Sequence, residues 1–162
     1  MLSIRSATVE DAALIRGLIR ELADYEHGLD RVSITQSDIL RDGFGPQPKF
    51  RAVIAEWDGK PAGYALFFEL YSTWRGRAAL FLEDLFVRPQ FRGHGIGKGL
   101  LAHVASVAQK ENCYGVKWEV LDWNQLAIDF YESIGAEFRS EWRSMVLTDE
   151  SLTRFCGTGK ST

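Results

Sequence analysis

An α/β or α+β domain, a single sheet covered by helices, is predicted by three features of the 162-residue chain. Apolar residues recur at helical spacing in some segments and alternate or run on over strand lengths in others. The elements come in mixed order: strand, helices, three strands, helix, strand, helix, strand. The composition, 46% hydrophobic and 25% charged, is that of an ordinary globular protein, and the length fits one domain.

Residues 2–6 alternate and read as a short strand. Thr8 then caps a helix over 9–24, with Asp11 in the place of a capping-box acid and Ile15, Leu18, Ile19 and Leu22 on its apolar face. Thr35 caps a second short helix ending near the turn at 43–46. A strand at 50–57 is joined to one at 61–71 through Asp58-Gly59, a strong hairpin turn. The apolar run at 78–87 is a third strand, which Pro89 ends. After the loop at 88–95 a helix carries Ile96, Leu100, Leu101, Val104 and Ala108 on one face. A strand at 115–121 follows. Asn124 then opens a helix whose inner face is Ala127, Phe130, Tyr131 and Ile134, and Gly135 ends it. A terminal strand or hairpin is expected at 136–147. The domain is expected to span 1–156, with a mobile tail at 157–162.

Lys plus Arg is 19 and Asp plus Glu is 22, a net charge of −3. That argues against a nucleic-acid partner, which requires phosphate neutralisation. No apolar run reaches membrane-spanning length, and the first residues lack the basic and apolar regions of a secretory signal. Cys113 and Cys156 are far apart, and the three histidines form no HExxH pair, so no metal site is expected. The expected compartment is a reducing cytoplasm.

The most informative segment is Arg92-Gly93-His94-Gly95-Ile96-Gly97-Lys98-Gly99, between a strand and a helix. Glycines let the backbone approach a ligand, and the first N–H groups of the helix with its dipole suit a diphosphate. Arg92 and Lys98 could add positive charge. A dinucleotide fingerprint is excluded because its third glycine would fall on Lys98 or Leu100. A GxxxxGK[ST] phosphate loop is excluded because Arg92 stands where its first glycine belongs and Gly99 follows Lys98. Glycines alone also fit a turn without a ligand.

The segment resembles the acetyl-CoA-binding pattern (Q/R)-x-x-G-x-(G/A) of the GNAT superfamily of N-acetyltransferases, with Arg92, Gly95 and Gly97 on the matching positions. A second match runs from Asn124 through Ala127 and Phe130-Tyr131 to Gly135-Ala136. Further segments, E-L-A-x-Y-E at 21–26, D-G-F-G at 42–45, L-E-D-x-F-V at 82–87 and W-N-x-x-x-I-x-F-Y at 123–131, resemble the diamine acetyltransferase branch, which includes spermidine/spermine and thialysine acetyltransferases. The chain departs from some relatives in its tight turn at 57–61, where they carry an insertion.

The resemblance implies a GNAT fold, one mixed central sheet of about six to seven strands flanked by about four helices. It implies acetyl transfer from acetyl-CoA, with no metal, to a primary amine of a small cation such as a diamine, polyamine or thialysine. A homodimer is expected. Acetyl-CoA would lie in a gap between the strands at 78–87 and 115–121. It would be held by Leu85, Phe86 and Val87, by Arg92, Gly93, His94, Gly95, Ile96, Gly97 and Lys98, and by Asn124 and Ala127.

Strand neighbours face opposite sides, so only one of Glu83 and Asp84 should reach a given pocket. The resemblance selects Glu83 to hold the amine and collect its proton, although a carboxylate paired structurally fits the pattern too. Tyr25 and Glu26 are further acceptor-binding positions by resemblance, and Glu141 is a candidate for the distal end of the acceptor. Tyr25 and Glu26 alone would read as helix surface. Tyr131 is the general acid: a phenol of pKa about 10 can protonate a thiolate whose acid has a pKa near ~8.5. Helical spacing alone equally fits a core tyrosine. Cys113 lies outside both motifs and is expected to be a structural thiol. The alternative functions are acetylation of another amine (an amino acid, an aminoglycoside, a protein N-terminus or lysine) and a non-catalytic acetyl-CoA sensor.

Overall fold

The computed structural model describes residues 1–158. They form two compact units, Met1–Glu119 and a second from Val120 onward.

The first unit is a five-stranded sheet in the order β1-β2-β3-β4-β5, formed by Leu2–Ser6, Arg51–Trp57, Lys60–Ser72, Arg77–Val87 and Val116–Lys117. The first four strands are antiparallel neighbours, and β4 and β5 are parallel. Three α-helices belong to this unit: α1 (Ala12–Tyr25), α2 (Gln36–Phe44) and α3 (Ile96–Lys110).

Local chemistry sets these boundaries. A 3-10 turn over Val9–Asp11 precedes α1, and Asp11 Oδ2 accepts from the Thr8 N–H at 2.8 Å. At α2 the exchange is reciprocal: Thr35 Oγ1 accepts from the Asp38 N–H and Asp38 Oδ2 from the Thr35 N–H. Asp58 and Gly59 both have positive φ, 49° and 74°, as a two-residue hairpin turn of the primed type requires.

Both faces of the sheet are covered, so the strand cores read as unbroken apolar runs rather than as alternation. Ile54, Tyr64, Leu66 and Phe86 pack with Ala12, Ile15 and Leu18 of α1 and Ile39 of α2. The alternate positions Val53, Ala55, Ala65 and Phe67 are buried as well, and α3, packed on β3 and β4, buries Ile96, Leu100, Leu101, Val104 and Ala108.

The second unit contains α4 (Gln125–Ser133) and α5 (Asp149–Thr158). Asn124 caps α4, its Oδ1 accepting from the Ala127 N–H at 3.3 Å, and Gly135 leaves the helix at φ 86°.

Several expectations are corrected. The sheet has five strands among the described residues rather than six to seven, and α5 raises the α-helix count to five. The strand expected at 115–121 forms a ladder only at Val116–Lys117. No strand forms at 136–147 among the described residues; apolar residues there supply β propensity but have no paired neighbour to make a ladder. Of the tail expected at 157–162, residues 157 and 158 close α5, and 159–162 lie outside the described residues.

Candidate active site

Strand β4 organises the first unit's site. Asp84 pairs with Leu66 and Leu82 with Phe67, so Glu83 is the extra residue of a β-bulge. Beyond the bulge, Asp84 is in register with Leu66 and diagonal to Tyr64, which itself pairs with Phe86. The Tyr64 hydroxyl donates to Asp84 Oδ2 at 2.8 Å. Tyr64 is fully buried, Asp84 is half-buried and Glu83 is exposed.

The electrostatics follow from this placement. Desolvation pushes the Asp84 carboxyl up from 3.8 to about 6. The Tyr64 hydrogen bond pulls it back in part, while the charges of Glu83 and Glu26 raise it further. Burial holds the Tyr64 phenol well above its ordinary value, with the Asp84 charge adding to the effect. Glu26, half-buried just past the end of α1, is also raised by desolvation, against the pull of Arg31. Three carboxyl groups therefore share one field around a buried phenol. That is an arrangement for a cation, since like charges near each other are costly until a counter-ion arrives.

The parallel ladder joins Leu80 to Val116 and Phe81 to Lys117, and among the described residues it stops there. From Leu82 on, through Leu85, Phe86 and Val87, that side of β4 has no continuing ladder to β5. Backbone groups left out of a ladder need other partners.

Past Val87, a 3-10 turn over Pro89–Phe91 leads into the glycine segment. Gly93 and Gly95 have φ of 81° and 75°, and Gly95 is the N-cap of α3. A Cβ at either position would meet nothing within 4 Å, so the left-handed backbone, rather than space, is what calls for glycine. No side chain caps α3. Helix geometry leaves the N–H groups of Ile96, Gly97 and Lys98 without intrahelical acceptors, and they form the positive end of the helix dipole. Ile96 is buried as an anchor, while Gly93, His94, Gly95 and Lys98 are exposed.

Side chains brace this turn from behind. Arg88 donates from Nε and Nη2 to the Glu21 carboxylate at 2.8 and 2.7 Å and from Nη1 to the Pro61 carbonyl at 2.8 Å. Arg92 donates from Nε to the Val87 carbonyl at 3.1 Å, and its guanidinium lies 4.7 Å from the centre of the Tyr25 ring. The positive charge expected from Arg92 is thus engaged inside the protein and ties the turn to the helix that carries Tyr25. His94 sits with Nδ1 3.2 and 3.0 Å from the Phe91 and Arg92 carbonyls, and its ring centre is 4.6 Å from that of Trp57. Cys113 is half-buried, and desolvation raises its thiol, as suits a structural thiol.

In the second unit, Asn124, Ala127, Phe130 and Tyr131 share the half-buried side of α4, with the Phe130 and Tyr131 rings 5.3 Å apart. Glu141 is exposed and lies 3.9 Å from Arg139.

The sequence reading missed Tyr64 and left Asp84 as the carboxylate on the other side of a regular strand. A signal was present: two adjacent acids inside a strand apolar on both faces leave no regular orientation that keeps both in water. The bulge resolves this, but its position depends on β3, which spacing within β4 does not reveal.

Among the described residues no group of His, Cys, Asp and Glu could hold a metal ion, and no helix is long and apolar enough to cross a membrane. Comparison with known proteins matches the acetyltransferase (GNAT) family over residues 14–136. The thialysine N-epsilon-acetyltransferase of Sus scrofa is 39% identical over 165 residues, covering 95% of this chain and 96% of that protein. The Mus musculus enzyme of the same name is 37% identical over the same shares. The spermidine/spermine N(1)-acetyltransferase-like protein 1 of Homo sapiens is 39% identical over 82% of this chain and 20% of its own length. Among solved structures, an integron cassette protein from the mobile metagenome of V. cholerae superposes with a TM-score of 0.80 at 24% identity, covering 99% of this chain and 98% of its own. An aminoglycoside acetyltransferase from a soil metagenome gives 0.74 at 23% identity, over 91% of this chain and 97% of its own. Fold, glycine turn and kinship converge, and the chain belongs to the GNAT family of acetyltransferases.

Proposed function

We propose that the chain is a single acetyltransferase domain over 1–156 that moves the acetyl group of acetyl-CoA directly to a primary amine of a small polycation, a diamine, polyamine or thialysine-like acceptor. One observation carries this reading: β4 holds Glu83 and Asp84 at its bulge, with the charge of Glu26 acting on Asp84, and the turn after β4 leads into an uncapped, glycine-lined helix start. A candidate cation site on β4 is thus followed along the chain by a candidate anion site at the start of α3. The names of the 37–39% identical relatives point to thialysine, one of these acceptors. The reading carries with it a homodimer, a cytoplasmic location, and neither nucleic acid nor membrane as partner.

Acetyl-CoA, when bound, supplies the activated thioester. The main-chain N–H groups of Ile96, Gly97 and Lys98 suit its diphosphate. The Leu85–Val87 edge offers backbone groups to its pantetheine arm, and Asn124 and Ala127 are further cofactor positions. An alkyl ammonium of pKa about 10.4 is not a nucleophile at neutral pH. The carboxylates first draw the cation in, and Glu83, at the bulge, then accepts its proton. Glu26 and Asp84 hold the rest of the acceptor, with Tyr25 and Glu141 as further contacts. Tyr131 donates its phenolic proton to the departing thiolate, and the second proton that the nitrogen sheds as the amide forms restores the phenol. Holding both reactants in one ternary complex makes the step effectively unimolecular and needs no covalent carrier.

The test is coenzyme A release over a panel of putrescine, spermidine, spermine, lysine, thialysine, an aminoglycoside and a peptide N-terminus. Turnover concentrated on the small polycations is the expected result. Activity confined to the aminoglycoside or the peptide would overturn the acceptor assignment. Tight acetyl-CoA binding without turnover on any amine would make the chain a sensor.

A further inference from the structure

We propose that Tyr64 is the residue that positions the acceptor-binding carboxylate: its buried hydroxyl occupies Asp84 Oδ2 and so turns Oδ1 toward the incoming ammonium. This rests on the functional reading above and extends it to a residue outside both family motifs.

The geometry has three parts. First, Tyr64 is fully exposure-free, wedged among Ile15, Leu18, Ile54 and Phe86, so its ring cannot swing and its hydroxyl has a fixed position. Second, that hydroxyl is 2.8 Å from Asp84 Oδ2, an ordinary O–H···O distance with the phenol as donor. Third, the register makes the contact possible only because Glu83 is bulged out, which brings Asp84 opposite Leu66 on the face that Tyr64 shares.

Such a donor changes what the carboxylate can do. A carboxylate has two oxygens, and one that is half-buried with no fixed donor would rotate between solvent and acceptor. With Oδ2 held, the other oxygen is presented in one orientation. The charged groups acting on Asp84 come from all the elements around it: Glu83 beside it on β4, Glu26 after α1, and Tyr64 on β3. Glu83 and Glu26 both oppose its ionisation. Tyr64 is the protein group that favours it, so in the empty site the phenol keeps the carboxylate in its charged, cation-binding form.

The experiment compares the parent with Tyr64→Phe, which removes one oxygen and keeps the packing. Steady-state kinetics are followed from pH 5 to 9 with the best polyamine acceptor. The expected result is about a tenfold fall in kcat/KM for the amine, the scale of one hydrogen bond to a charged group. KM for acetyl-CoA should be unchanged, and the acid limb of the kcat/KM profile should move to higher pH, because Asp84 has lost the bond that favoured its ionisation. In an Asp84→Asn background the same substitution should shift no acid limb. A difluorotyrosine placed at 64, a stronger donor of nearly the same shape, should move the acid limb the other way, and it supplies the test if Tyr64→Phe does not fold. An active parent whose Tyr64 variants keep its amine kcat/KM and pH profile would overturn this inference and leave the functional reading standing. A parent silent on every amine would overturn both.

Discussion

Glu83 and Asp84 are chemically near-equivalent, and their environments separate them. Glu83 is exposed at the bulge, while Asp84 is half-buried, bonded to Tyr64 and held near pH 6. Asp84→Asn should therefore raise KM for a polyamine about tenfold or more while leaving acetyl-CoA binding intact, since it removes the desolvated charge. Glu83→Gln should act mainly on kcat, as expected for the group that takes the proton. Amine saturation curves for the two variants check this; equal effects on KM would contradict the division of roles. Tyr131→Phe should lower kcat by about a hundredfold, the modest end for a lost general acid, with the circular dichroism spectrum unchanged. Wild-type turnover would leave Tyr131 a packing residue of α4. The acids of β4 were legible as a pair at this scale. Which of them is buried was not, because alternation fails at the one bulged residue and the register is set by another strand.

At the scale of elements, legibility followed local chemistry. Thr35 with Asp38, Asp58-Gly59 and Asn124 each act within a few residues of themselves and do in the structure what the sequence implies, and Asp11 accepts from the Thr8 N–H as expected, although a 3-10 turn rather than the α-helix follows Thr8. β5 and the 136–147 segment failed because a strand needs a partner that spacing does not supply. α5 was missed because the closing GTGKST run reads as a loose tail, outweighing the acids Asp149 and Glu150 at the helix start. Two predictions belong here. Gly95→Ala forces a Cβ into φ 75° and should cost about 1–2 kcal/mol while weakening acetyl-CoA binding, read by denaturant melts and calorimetry. Asp11 accepts from Arg5 at 2.7 and 2.9 Å as well as from Thr8, and Arg5 also reaches Glu56 at 2.9 Å. Asp11→Ala should cost about 2 kcal/mol, discounted because Arg5 is partly exposed. The Arg5 hydrogen bond lowers the Asp11 carboxyl to about 2, so its contribution is present above its unfolded pKa and is lost as pH falls toward 2. The acid arm of a stability profile should flatten there in the variant.

For the molecule as a whole, the site and the fold pull against each other. Asp84 has the opposite sign to Asp11. Its carboxyl binds a proton more readily folded than unfolded, from 3.8 up to about 6, so its effect on stability is most favourable below pH 3.8 and is lost as pH rises through about 6. At about 1.4 kcal/mol per pH unit, the unliganded protein gives up ~2–3 kcal/mol by pH 8 to keep this group charged. That energy is recovered when a cation arrives, which makes polyamine binding a stabilising event concentrated above pH 6. Asp84→Asn retains an acceptor for the Tyr64 hydroxyl and carries no charge to desolvate. The variant should therefore melt higher than the parent at pH 8 and about level with it at pH 4, while losing the thermal shift that spermidine gives the parent at pH 8. Scanning calorimetry of both proteins at the two pH values, with and without spermidine, reads all of these effects. A variant less stable than its parent at pH 8 would mean that the Asp84 charge is already compensated within the fold and is not held in reserve for the acceptor.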